Sequence, residues 1–169
     1  MKNGADGMEC FYDYLNPQRL FSAIQYGDLY RSNNGGNSWQ YVEALQGAWT
    51  TPVFMHPENP EIIYAGTRHV KKSIDGGYNF TVIASNVSVQ NISTMAQSDV
   101  NPGHMIFGTG QDHPLDSLFL VKISADEGVT WTDVTENIPG EPRWISRVQT
   151  DPADANTMYV LRTGFSPGN

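Results

Sequence analysis

Cysteine is almost missing: Cys10 stands alone among 169 residues, which rules out an intrachain disulfide and any zinc site built on paired cysteines. Long apolar runs are missing too. None approaches the ~20 residues that a membrane-spanning helix requires, and Met1 to Gly7 carries no apolar stretch of the signal-peptide kind. Two readings of that start stay open: a cytosolic protein, or a segment from inside a longer secreted chain. Basic residues are scarce, ten Lys and Arg against eighteen Asp and Glu, for a net charge of −8. Such a surface repels phosphate backbones and anionic headgroups, so neither nucleic acid nor membrane insertion is expected, and solubility is the plainest use of the charge. His56, His69, His104 and His113 show no ligand spacing, and the sequence has no Gly-rich phosphate loop, Ser nucleophile elbow or heptad. No metal or cofactor is expected. What the sequence does have is 16 Gly and 10 Pro against 39% apolar residues, the balance of a turn-rich β protein.

Internal repeats decide the architecture. A box of the form Ser-x-Asp/Asn-x-Gly-x-polar-aromatic occurs three times. Its fixed residues are Ser32, Asn34, Gly36 and Trp39, then Ser73, Asp75, Gly77 and Phe80, then Ser124, Asp126, Gly128 and Trp131. A second pattern, Asn/Asp-Pro followed by a short apolar run, interleaves with it four times, at Asn16-Pro17, Asn59-Pro60, Asn101-Pro102 and Asp151-Pro152. Its aromatics are Phe21, Tyr64, Phe107 and Tyr159. Each unit reads as four short strands, A to D, with the box as the turn from C to D. Four strands in roughly 40–45 residues is the size of a propeller blade. An all-β partial β-propeller of about three and a half blades is therefore expected over residues 1–169, with blades at about 8–45, 49–85 and 91–136 and an incomplete fourth at about 144–169. Three and a half blades fall short of the four or more that a closed ring takes. An open arc is the expectation, with an unpaired edge near Thr157 to Leu161, bare end flanks, and association with further blades or other protein chains.

As a turn, the box makes physical sense. A side-chain oxygen at Asn34, Asp75 or Asp126 accepts backbone N–H bonds from the residues after it, and Gly36, Gly77 and Gly128 suit a positive φ. These residues read as structural clips. Together, the boxes and the Pro57-Glu58-Asn59-Pro60 turn resemble the Asp-box propellers of bacterial sialidases, sortilin-type receptor ectodomains, xyloglucan-cleaving endoglucanases and a photosystem assembly factor. They are most similar to secreted bacterial repeat proteins of the sortilin-like and glycosyl-hydrolase-like kind. The resemblance implies a propeller and an extracellular or cell-surface location. It is weak on function, since this fold serves enzymes, receptors and scaffolds.

Strand alternation puts the A–B turns and boxes on one face, and the D–A and B–C loops on the other. On the second face the candidates from D–A loops are Asp6, Gln46, Trp49, Gln90, Asn91, Arg143 and Trp144; those from B–C loops are Tyr26, Asp28, Arg68, His69, Asp112 and His113. Trp49 and Trp144, read as starting inner strands, offer aromatic faces for sugar rings or for packing between blades. Arg68 and Arg143 suit a carboxylate ligand. Asp112 and His113, in the longest loop, read as an acid/base pair, a metal-ligand pair or, most simply, a solvated tip. Asp6 and Asp28 are the candidates for paired catalytic carboxylates, and both also suit turns. The sialidase Arg-Ile-Pro signature is missing. Cys10 reads as a packed small residue. The reading that results is a protein- or glycan-recognition or scaffold module within a larger secreted protein; the alternative is a fragment of a propeller glycoside hydrolase.

Overall fold

The computed structural model describes residues 5–110, 119–140 and 143–163. Among them, three four-stranded antiparallel sheets and one two-stranded sheet follow in chain order. Sheet one holds β1 (Gly7–Tyr12), β2 (Leu20–Ile24), β3 (Asp28–Ser32) and β4 (Gln40–Ala44). Sheet two holds β5 (Val53–Met55), β6 (Ile63–Gly66), β7 (Val70–Ser73) and β8 (Thr81–Ala84). Sheet three holds β9 (Ile92–Gln97), β10 (Met105–Thr109), β11 (Val121–Ser124) and β12 (Thr132–Asp133), and sheet four pairs β13 (Trp144–Thr150) with β14 (Met158–Thr163). Every strand pairs with its sequence neighbour, the meander of a propeller blade. The chain is an all-β partial propeller.

Three apolar clusters lie between successive sheets. Phe21 and Leu29 of sheet one meet Val53, Ile63 and Ala65 of sheet two. Tyr64 and Val70 of sheet two meet Ile92, Met105 and Phe107 of sheet three, and Ile106 and Val121 meet Ile145 and Val148 of sheet four. Side chains alternate along a strand, so each middle sheet serves two neighbours at once: Ile63 faces back and Tyr64 forward. The forward approach is close. A Cβ on Gly66 would fall 2.9 Å from the Ile92 side chain, and one on Gly108 would overlap Ile145.

The pairing corrects the register read from aromatic spacing. Leu20, Ile63 and Met105 face Ser32, Ser73 and Ser124 across the ladder, so Phe21 and Tyr64 correspond to Ile106. Phe107 lies one residue on and turns back into the sheet-two cluster, because a one-residue shift flips the face. The fourth Asn/Asp-Pro match shifts likewise. Backbone bonds from Asp13 N to Arg19 O, His56 N to Ile62 O, Ser98 N to His104 O and Asp151 N to Thr157 O close the same A–B turn four times. Asp154, followed by Ala155, therefore stands where Asn16, Asn59 and Asn101 stand, and Asp151-Pro152 opens the turn instead. Two further expectations change. Trp49 begins no strand, since the Thr51 hydroxyl folds a turn onto Ala48 O at 2.8 Å, Pro52 lacks an N–H, and β5 starts at Val53. Cys10 is exposed, on the flank of sheet one that faces away from sheet two.

The opening residue of the A–B turn caps it in each repeat. Asp13 Oδ1 accepts the Leu15 N–H, Ser98 Oγ that of Asn101, and Asp151 Oδ1 those of Ala153 and Asp154. In sheet two the cap is buried His56, whose Nδ1 accepts the Glu58 and Asn59 N–H groups at 3.0 and 3.2 Å. That cap works only with Nδ1 unprotonated. Burial lowers the His56 pKa from its ordinary 6.5, Glu127 opposes that shift, Lys72 adds to it and Glu58 opposes it. A folded pKa below the unfolded one means stability present above about pH 6.5 and lost as the pH falls through the lowered value. Urea titrations of wild type and His56→Asp between pH 7.5 and 5 should show wild type losing more stability on acidification. Equal slopes would remove His56 as the titrating cap.

Candidate functional site

The two faces of the arc hold different chemistry. On one, each box is a closed hydrogen-bond circuit. The buried Ser32, Ser73 and Ser124 hydroxyls each accept the N–H of Gly36, Gly77 or Gly128 at 2.9 Å, and each donates to the side chain at Asn34, Asp75 or Asp126. That side chain accepts the N–H of Ser38, Asn79 or Thr130 at 2.8–3.0 Å. Gly36, Gly77 and Gly128 have φ of 81–84°. For Asp75, burial raises the carboxyl pKa, but the bonds from Asn79, Ser73 and Tyr78 outweigh it and hold it at about 2. For Asp126, the bonds from Thr130 and Ser124 do the same, also to about 2. A carboxylate so occupied is a poor proton acceptor.

The box aromatics anchor the hairpins between sheets. Phe80 packs on the cluster between sheets one and two. Trp131 packs on the next cluster, its ring 4.7 Å from Phe107 and its Nε1 donating to Gly128 O at 2.9 Å. The boxes also bond to the A–B turns, through Gly35 N to Gln18 O, Gly76 N to Glu61 O and Glu127 N to Gly103 O. Glu127 is a residue that sequence reading passed over. It has φ 57° where the other boxes have Gly35 and Gly76, and it accepts from Lys72 and from the Tyr64 hydroxyl across the sheet interface. The Lys72 ammonium holds its carboxyl below the ordinary value, against burial. A non-glycine in the middle of a box was the available signal.

The opposite face gathers Tyr26 and Trp49. The Tyr26 N–H donates to Trp49 O at 3.1 Å and the Gly47 N–H to Tyr26 O at 3.0 Å, holding Tyr26 at φ 60°. Their rings meet edge-on, 5.2 Å apart at 84°, yet remain 55% and 43% exposed. Beside them, exposed Asp6 accepts from the Gln25 amide at 2.9 Å, and Asp28 opens β3. Arg68 is exposed and borders a hollow of about 310 Å3 with Asn86, Val89 and Lys122. His69 Nδ1 accepts the Asn86 N–H at 3.0 Å. Half-buried Arg143 and Trp144 lie one sheet further on, with Trp144 at the start of β13 against Gly110. The described site candidates thus follow the rim, and among them Tyr26 and Trp49 meet in one surface. Asp112 and His113 lie outside the described residues. Along the concave side, the inner strands line a polar groove of about 330 Å3 that includes Glu9, Thr94, Gln97 and Arg147. Burial raises the Glu9 pKa there, partly offset by Arg147. Among the described residues no His, Cys, Asp or Glu group is arranged to hold a metal ion.

The succession of sheets is similar to that in solved structures. An ancestral GH74 enzyme matches with a TM-score of 0.73 at 22% identity, over 93% of this chain and 22% of its own. The GH74 xyloglucanase from Xanthomonas campestris matches at 0.63 and 14%, over 90% of this chain and 26% of its own. YCF48, solved bound to D1 peptide, matches at 0.61 and 10%, over all of this chain and 52% of its own. The chain therefore spans about half or less of each. No protein-family model matches the sequence, and no curated protein matches it. At these identities the likeness fixes the fold.

The two faces should respond oppositely to substitution. Ser73→Ala orphans the buried Gly77 N–H and should cost about 1–3 kcal/mol in urea unfolding, with the m-value unchanged. Trp49→Ala, on the exposed rim, should cost about 1 kcal/mol or less. A silent Ser73→Ala would show that the box is no clip.

Proposed function

We propose that this chain is a recognition segment of a larger, secreted propeller protein, and that it takes carbohydrate on the rim formed by the B–C and D–A loops. The observation that carries this is the exposed right-angled pair of Tyr26 and Trp49. Sugar rings present C–H faces that pack on aromatic rings, and two rings at 84° make a corner able to hold one sugar and stop the next. The left-handed backbone at Tyr26 costs of the order of 1–2 kcal/mol, and two backbone bonds keep it in place, so the corner is preformed rather than assembled on binding. Asp6, Asp28 and Gln25 supply polar groups for sugar hydroxyls at its edge. The likeness to GH74 structures, one of them a xyloglucanase, supports xyloglucan oligosaccharides as the first ligands to try.

The same likeness favours a second reading, a glycoside hydrolase segment in which Asp6 and Asp28 act on the glycosidic bond. One titration separates the two. With xyloglucan oligosaccharides and calorimetry, Trp49→Ala and Tyr26→Ala should each weaken binding at least tenfold without changing the circular dichroism. Binding indifferent to both changes would remove the aromatic corner. Turnover of the oligosaccharide, lost in Asp6→Asn or Asp28→Asn, would replace the binding role with the hydrolytic one.

A further inference from the structure

The sheet interfaces repeat on the box face too, and the middle one departs from its neighbours. At the first, the residue before β2 crosses to the next A–B turn. Arg19 donates to Pro60 O at 3.0 Å and to Glu61 Oε1 at 2.6 Å, and pairs with Asp13 of its own turn at 2.8 Å. At the third, His104 before β10 also crosses, its Nδ1 2.8 Å from Ala155 O. At the second the matching residue is Ile62, which packs into the apolar cluster instead. The backbone bonds that close the turns put His56 where Asp13 stands, Pro102 where Pro60 stands and Gly103 where Glu61 stands. A Cβ on Gly76 would fall 2.5 Å from Arg19 Nη1, and Glu127 is the residue that corresponds to Gly76.

The place that a guanidinium fills at the first interface is therefore open at the second. It is a hollow of about 520 Å3 bordered by His56, Glu58, Lys72, Pro102, Gly103 and Glu127. Several of its polar groups are unspent. Glu127 takes Lys72 and Tyr64 on one oxygen, Oε2, and its Oε1 accepts no hydrogen bond among the described residues. Glu58 is exposed beside it, and Asp126 adds a third carboxylate against the one ammonium of Lys72, so the hollow is negative. His56 is only 5% exposed and borders the hollow. Its Nδ1 accepts from its own turn, so the ring proton sits on Nε2, which has no acceptor among the described residues. Glu127 holds its position in a left-handed backbone that the other boxes give to glycine and that costs a glutamate free energy.

We propose that this hollow binds an arginine side chain on an exposed segment of a protein partner. The molecule supplies the precedent, since its own Arg19 occupies the matching place, buried between two carboxylates and a carbonyl. A guanidinium fork suits Glu127 Oε1 and the Glu58 carboxylate. Pro102 and the exposed Val129 side chain flank its apolar stem, and the His56 Nε2–H is left for a backbone carbonyl of the same segment. Sheets two and three each have both neighbours inside the chain, so further blades, which join at sheets one and four, leave the hollow uncovered. It lies on the face opposite Tyr26 and Trp49 and is independent of what they bind.

The test is a heteronuclear NMR titration of the 169-residue chain with the blocked peptide acetyl-Gly-Arg-Gly-amide. The amides of Gly103 and Glu127 should shift, while those of Tyr26 and Trp49 stay still. The same peptide with citrulline, which keeps the shape of arginine without its charge, should bind roughly tenfold more weakly. Free arginine should also bind more weakly, because its own carboxylate meets a negative hollow. Glu127→Gly restores the residue type of the other boxes, and Glu127→Gln keeps the shape. Each should weaken the arginine peptide by about the same factor with circular dichroism unchanged. A peptide that leaves Gly103 and Glu127 unshifted, or that binds no better than its citrulline analogue, would overturn the site. Binding that survives both Glu127 substitutions would overturn it equally. Free arginine binding as tightly as the peptide would overturn the protein partner in favour of a small molecule.

Discussion

Each middle sheet of this molecule is covered on both sides, and that single condition governs the rest. A strand buried on two faces must place alternate side chains into two different clusters, so no residue of β6 or β10 is free to vary for one neighbour alone. All four residues of β6 and all five of β10 are buried. The condition also explains why Gly66 and Gly108 are glycines: forward of the large side chains at Tyr64 and Ile106, the next sheet comes so close that a single added carbon meets Ile92 or Ile145. Packing at organic-crystal density leaves no slack for it.

The polar parts work at the ends of the strands, where backbone groups leave the ladder. On the box face every turn is closed on itself by a Ser hydroxyl, an Asn or Asp side chain and an A–B turn carbonyl. Polar staples join neighbouring sheets on the same face, with Arg19 reaching Glu61 and Pro60 O, and Lys72 and Tyr64 reaching Glu127. Arg31 corresponds to Lys72, but the next box carries Gly76 where Glu127 stands, and the Arg31 guanidinium lies 3.8 Å from the Tyr78 ring centre instead. On the opposite face stands the exposed aromatic corner of Tyr26 and Trp49.

Much of this was legible in the chain itself. The box repeats because its chemistry is local: a serine, an acid or amide two residues on and a glycine four residues on close one turn, whatever the rest of the fold does. That locality is why the all-β partial propeller could be read from three boxes and the runs between them. The register was less legible, since Phe107 and Asp151-Pro152 mimic positions that the ladder assigns to Ile106 and to Asp154-Ala155. Spacing counts residues, whereas facing depends on pairing. Nor could spacing show that the Thr51 turn delays β5 and leaves Trp49 on the rim beside Tyr26. Tyr26 was one polar-loop candidate among many, and its positive φ is visible only in the backbone.

The account rests on which way β10 faces its two neighbours, and proton–proton Overhauser contacts measure that directly. With Phe, Trp, Ile and Val residues protonated in an otherwise deuterated chain, the Phe107 ring should show contacts to Trp131 and Val70, and the Ile106 methyls to Ile145 and Val148. The reverse pattern, Phe107 against Ile145 and Ile106 against Val70, would mean that the strand is shifted by one residue and that its forward and backward faces are exchanged.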